Sequence, residues 1–130
     1  MKKLAFGLLA LTISLGLLST AASAQGFLLP IITVEPGSYD FGPVPIGAIA
    51  SADLLVTNSG DLPLIVNAVK TRAPFNDNAT SFTVPGHSSR RVSIAFIPTA
   101  VGTFSSVCTF QSNAANEPVL NVPITGTGIE

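Results

Sequence analysis

From residue 31 onward, apolar and polar side chains alternate in short runs, and Gly, Pro, Asn or Asp closes nearly every one. A period of two is the pattern of strands with one buried face. Residues 31–34 open the series and stop at Glu35-Pro36-Gly37, and residues 38–41 follow and close at Gly42-Pro43. Residues 50–57 set Ala52, Leu54 and Val56 against Ser51, Asp53 and Thr57, before the turn signal Asn58-Ser59-Gly60-Asp61. Residues 64–70 and 80–84 predict two more strands, the second ended by Pro85-Gly86. In residues 90–97 Val92, Ile94 and Phe96 share a face, and Pro98 ends the run because proline donates no ladder hydrogen bond. Residues 102–111 bring Phe104, Ser106, Cys108 and Phe110 to one side, and residues 119–125 turn Leu120, Val122 and Ile124 inward. Pro123 falls on the outward face of that last run, which predicts an edge strand or a bulge there.

No stretch of residues 25–130 keeps a helical period for three turns. Seven or eight short antiparallel strands in about 100 residues predict an all-β, immunoglobulin-like β-sandwich. The sequence has no Trp and one Cys. Aliphatic and Phe packing must therefore hold the core without a disulfide between the sheets.

The start of the chain has a different pattern. Met1-Lys2-Lys3 is followed by an uncharged run from Leu4 to Leu18 with seven Leu, and then by Ala22-Ser23-Ala24 before Gln25. A basic start, an apolar stretch and small residues at alternate places before a cut describe a secretory signal peptide. The apolar run is shorter than the roughly 20 residues a spanning helix needs. The expected cleavage lies between Ala24 and Gln25, and a lipid anchor would have needed a Cys where Gln25 stands. This divides the chain into a signal peptide (residues 1–24), a short apolar lead (residues 25–30) and one domain (residues 31–129). The product would be exported, periplasmic or extracellular, with no stable membrane span.

Cleavage also changes the charge. The whole chain carries six Lys+Arg and seven Asp+Glu, is 10% charged and has a mean hydropathy of +0.56. Without Lys2 and Lys3, four cations (Lys70, Arg72, Arg90, Arg91) face seven acids, a net charge of −3. No basic patch is present to hold nucleic acid by its phosphates. So few charges also leave large uncharged faces free for contact.

Four pieces, in order, resemble a known domain family. They are Thr33-Val34-Glu35-Pro36 with Tyr39-Asp40-Phe41-Gly42-Pro43-Val44 and Gly47; Val56-Thr57-Asn58-Ser59-Gly60 with Leu62-Pro63-Leu64-Ile65-Val66; Val92-Ser93-Ile94-Ala95-Phe96-Ile97-Pro98 with Gly102; and Asn121-Val122-Pro123-Ile124-Thr125-Gly126-Thr127-Gly128. Together they resemble ASH domains, named for the microcephaly spindle protein, SPD-2 and hydin, and the related choice-of-anchor D and hydin-like groups. The resemblance covers roughly residues 31–129. It implies a sandwich like those of PapD and the sperm proteins, used for binding or scaffolding. It brings no catalytic residue and no cofactor. Asp40, Phe41, Gly42, Gly47, Asn58, Gly60, Phe96, Pro98, Gly102, Gly126 and Gly128 are the positions that carry it, and their implied role is structural.

The candidates for chemistry each have a plainer reading. His87 lies beside Ser88 and Ser89, but no G-x-S-x-G elbow accompanies it, and an ordinary turn accounts for it. Cys108 sits on the inward face, where a free Cys behaves as a small hydrophobe; exposed, it could link two chains. Asn76-Asp77-Asn78 is the densest oxygen cluster, yet it lacks the calcium-loop spacing and reads as a solvated turn. Arg90-Arg91 begins a strand, and one of the pair is expected to face solvent and keep an edge from pairing. The acids Glu35, Asp40, Asp53, Asp61, Asp77 and Glu117 sit mostly beside Pro or Gly, as turn formers do.

The leading expectation is a non-enzymatic exported module that binds another protein or a cell-envelope component. It would use an open sheet edge or the end loops near Asp61, Asn76 and Ala114. A second reading is a self-associating subunit that pairs edge strands, with the apolar Gly26-Phe27-Leu28-Leu29-Pro30-Ile31 lead as donor. A small secreted hydrolase is the remote third.

Overall fold

The computed structural model describes residues 28–130, so the expected signal peptide and its cleavage site lie outside the described residues. Nine strands follow one another: β1 (Ile32–Glu35), β2 (Tyr39–Pro45), β3 (Ala50–Asn58), β4 (Leu64–Lys70), β5 (Phe75–Asp77), β6 (Phe82–Val84), β7 (Ser88–Phe96), β8 (Gly102–Ser112) and β9 (Val119–Ile129). They form two sheets, one ordered β2-β9-β8-β4-β6 and the other β1-β3-β7-β5. The immunoglobulin-like sandwich expected from the alternation is therefore present. Every pair is antiparallel except β2 with β9, which is parallel.

The predicted inward sets are the core. Leu54 and Val56, Val92, Ile94 and Phe96, Cys108 and Phe110, and Val122 and Ile124 are all buried. Rings from both sheets meet at one half of the molecule. Phe75 stacks on Phe96 with centroids 5.0 Å apart, and Phe41 and Phe104 lie 5.8 and 6.0 Å from Phe96. Phe96 also presses on Gly126, where a Cβ would come within 2.5 Å of the ring. β9 runs on through Gly126 to Ile129, past the expected end at Thr125, because it stays paired with β8 to Gly128 and with β2 to Ile129.

Several expectations need correction. Asn76 and Asp77 belong to the short strand β5, paired with β7 through Phe75↔Phe96, Asn76↔Ala95 and Asp77↔Ile94. Three residues are too few to show a period, but burying Phe75 under Phe96 fixes them. β9 is an interior strand, not an edge. Its even residues pair with β8, so Pro123 points its missing donor at β2, whose pairing begins only at Ile124↔Tyr39. The irregularity lies two residues later, between Thr125 and Thr127. β2 continues through Gly42-Pro43 to Pro45, with Gly42 at φ 72° and its N–H donating to Asp40 Oδ1 at 2.9 Å.

Candidate functional site

Sheets bind other chains at their edges, so the site is sought where backbone groups lack a partner. Three of the four outer strands are only three or four residues long: β1, β5 and β6. β2 is longer but carries Pro43, Pro45 and the Gly42 irregularity. Each is a known way of blunting an edge. β1 is blocked further by a side chain. Asn116 Oδ1 accepts from Ile32 N–H at 3.0 Å, its Nδ2 donates to Ile32 C=O at 2.8 Å, and Ala115 N–H reaches Pro30 C=O at 2.9 Å. The loop around Ala114 is thus a tie rather than a free recognition loop, and Ala114 itself is buried.

The unpaired stretch lies inside a sheet order. β8 is 11 residues long, and β9 pairs with it from Gly102 to Gln111. On its other side β4 reaches only from Ser112 to Thr109, because the chain leaves the sheet after Lys70 and crosses to β5 in the other one. Ser112 N–H bonds toward β9 at Pro118, and Asn113 N–H bonds toward β4 at Ile65. Alternation then directs the backbone groups of Thr103, Ser105 and Val107 to the uncovered side. Among the described residues nothing pairs with them.

A groove of about 980 Å³ runs beside this half-edge, lined by Ser105 and Val107, by Lys70 and Arg72, and on its inner side by Asp77. A second hollow of about 470 Å³ is lined by Pro74, Ile97 and Phe104, the last next in sequence to Ser105 of the groove. Asp77 is internally engaged: Oδ2 accepts from Thr71 Oγ1 at 2.9 Å and Oδ1 from Ala79 N–H at 3.1 Å. The one contact between a basic-type and an acidic side chain within 4.0 Å among the described residues is that of His87 with Asp61. Lys70 and Arg72 are therefore exposed cations without an acid partner.

The other candidates form no reactive centre. His87 Nε2 lies 2.7 Å from Asp61 Oδ1, while the two neighbouring hydroxyls bond elsewhere, Ser88 to Gly86 C=O and Ser89 to Thr57. His87 occupies a turn at φ 57° and its N–H donates to Gly60 C=O. Cys108 is fully buried, and desolvation, followed by the nearby Asp77 charge, pushes its thiol up to about 12. A buried protonated thiol is a poor nucleophile and cannot link two chains. Asp53 faces outward in register with Ser93. Arg90 lies 4.6 Å above the Phe82 ring, and Arg91 faces out beside Leu55. No group of three metal-type side chains occurs among the described residues. No helix there is long and apolar enough to cross a membrane.

A family model for the HYDIN/CFA65/VesB-like, Ig-like domain matches residues 30–127. The chain belongs to that HYDIN/CFA65/VesB-like immunoglobulin-like family. Solved structures share the fold at low identity. The PapD-like domain 7 of human CEP192, an ASH domain, superposes with a TM-score of 0.69 at 18% identity, covering 91% of this chain and 97% of that one. The Vibrio cholerae VesB protease gives 0.59 at 14%, covering 74% of this chain but 31% of that one. The E. coli chaperone DraB gives 0.57 at 15%, covering 75% and 55%. No curated sequence matches the chain.

In this HYDIN-like domain the positions that carried the resemblance are spread through the scaffold. Asn58 is a buried hub at the end of β3, and Gly60 sits against the Leu29 carbonyl, leaving no room for a Cβ. Phe41 and Phe96 belong to the ring cluster. Pro98 C=O accepts from Gly47 N–H at 3.0 Å, joining the loops after β2 and β7. Gly102 starts β8, and Gly128 packs against Ala100. None of them lines the groove or the hollow beside it. The half-edge escaped the sequence reading because strand pairing is non-local.

Proposed function

We propose that this chain is an exported, non-catalytic module that binds a protein partner by accepting an extended segment along the half-edge of β8. The observation that carries the reading is the unpaired backbone of Thr103, Ser105 and Val107 in a sandwich whose outer edges are all short or blunted. Adding a strand there satisfies those groups and continues the line of β4, the general mode of peptide capture by sheets. Export rests on the pattern of residues 1–24, with the mature chain starting at Gln25. The family's immunoglobulin-like character agrees with a binding role.

The described part of the expected strand donor for self-association, from residue 28, is engaged at home. Leu29 C=O accepts from Leu62 N–H, and Pro30 is buried with its carbonyl held by Ala115. That favours a different protein as the occupant of β8. A photo-crosslinking residue at Val107, expressed in the native host, should yield an adduct with another protein, while the same residue at Ser51 should not. Adducts absent at Val107, equal at both sites, or consisting only of this chain's dimer would overturn the proposal.

A further inference from the structure

We infer that the β8 groove selects an extended segment bearing an acidic residue and, three positions away, a large apolar one; this rests on the strand-addition reading above. The position opposite Val107 continues the line of β4 two places beyond Lys70, which pairs with Thr109. Residues two apart on a strand share a face, so a side chain there stands about 7 Å along from Lys70 on the outer face. Arg72 lines the same groove. Among the described residues neither cation has an acid partner, so an acidic side chain at this position finds two of them.

The inner bank has the opposite preference. Asp77 lies on it near Cys108, and an inward acid opposite Ser106 would meet that carboxylate. A small neutral residue fits there instead. Opposite Phe104 the inward side chain enters the second hollow, where Phe104, Pro74 and Ile97 offer an apolar wall. Val107 and Phe104 are three residues apart, so the acid and the apolar anchor fall on opposite faces of the incoming strand, about 10 Å apart along it. Attraction on one face and repulsion on the other together set specificity.

The test pans a phage-displayed library of linear heptapeptides against the purified protein, then measures selected peptides by fluorescence anisotropy. Val107→Pro removes one open donor without touching the β9 ladder, and the Lys70→Glu/Arg72→Glu pair changes only exposed side chains. Enriched peptides with Asp or Glu three positions from Phe, Tyr or Leu are expected. Their affinity should fall at least about tenfold in both variants. Binders that are lost with Val107→Pro but show no such spacing, or are indifferent to the charge reversal, overturn this inference and leave strand addition standing. An absence of peptides sensitive to either variant overturns both.

Discussion

Asn58 is the one buried polar residue among the described residues, and its amide is completely used. Its Oδ1 accepts from Ile31 N–H at 3.1 Å and Gly60 N–H at 3.0 Å, while Nδ2 donates to Leu62 C=O at 2.7 Å and Val84 C=O at 3.0 Å. It therefore fastens the start of β1, the turn after β3 and the end of β6 to one point. A buried group left unsatisfied costs about 1–3 kcal/mol. Asn58→Ala, which strands several, should lower unfolding free energy by about 2–4 kcal/mol in urea titration, while exposed Asn67→Ala stays within about 0.5 kcal/mol. Cys108 makes a second residue-scale prediction. Its folded thiol holds the proton to about 12, whereas the ordinary value is 9.0. Between those pH values the unfolded chain has lost the proton and the folded chain has kept it. Stability from this group therefore falls as pH rises, by up to about 1.4 kcal/mol per unit. The difference in stability between wild type and Cys108→Ala should be flat below pH 8 and fall above 9; a difference unchanged to pH 11 would contradict the burial.

At the scale of the element, alternation made the long strands legible. β3, β7, β8 and β9 each have one face against the core and one against water, and a two-residue period records that difference directly. β5 and β6 were harder, since three residues cannot display a period. β6 is marked by its closing Pro85-Gly86, while β5 is hidden among the polar residues Asn76, Asp77 and Asn78. The end of β9 lies beyond the expected one because Gly126 and Gly128 read as a stop. In the sandwich they are places where Phe96 and Ala100 come too close for a side chain. Gly126→Ala should therefore cost about 1–3 kcal/mol by overpacking against Phe96. Combining it with Phe96→Leu should recover part of that loss in the same denaturation assay. Equal losses in the single and double variants would show that the ring contact does not set the requirement.

At the scale of the whole molecule, the two sheets differ in the kind of surface they present. The outer residues of β8 and β9 are Thr, Ser, Val, Asn, Gln, Pro and Ile without a charge, and Thr109 Oγ1 donates to Asn121 Oδ1 at 2.8 Å across them. The outer face of β3 and β7 carries Asp53 and Arg91. The low charge seen in the sequence is thus concentrated into one neutral face, with Lys70 and Arg72 at its uncovered margin. That margin was not legible from the sequence, since it arises from β4 ending at Lys70 while its neighbour β8 continues for seven more residues. Residue-resolved amide exchange on the free protein tests this directly. Thr103, Ser105 and Val107 should exchange fast while Phe104, Ser106 and Cys108, bonded to β9, are protected, and a bound peptide should slow the first three. Uniform protection of all six in the free protein would mean the edge is already covered, and would contradict a strand-accepting β8.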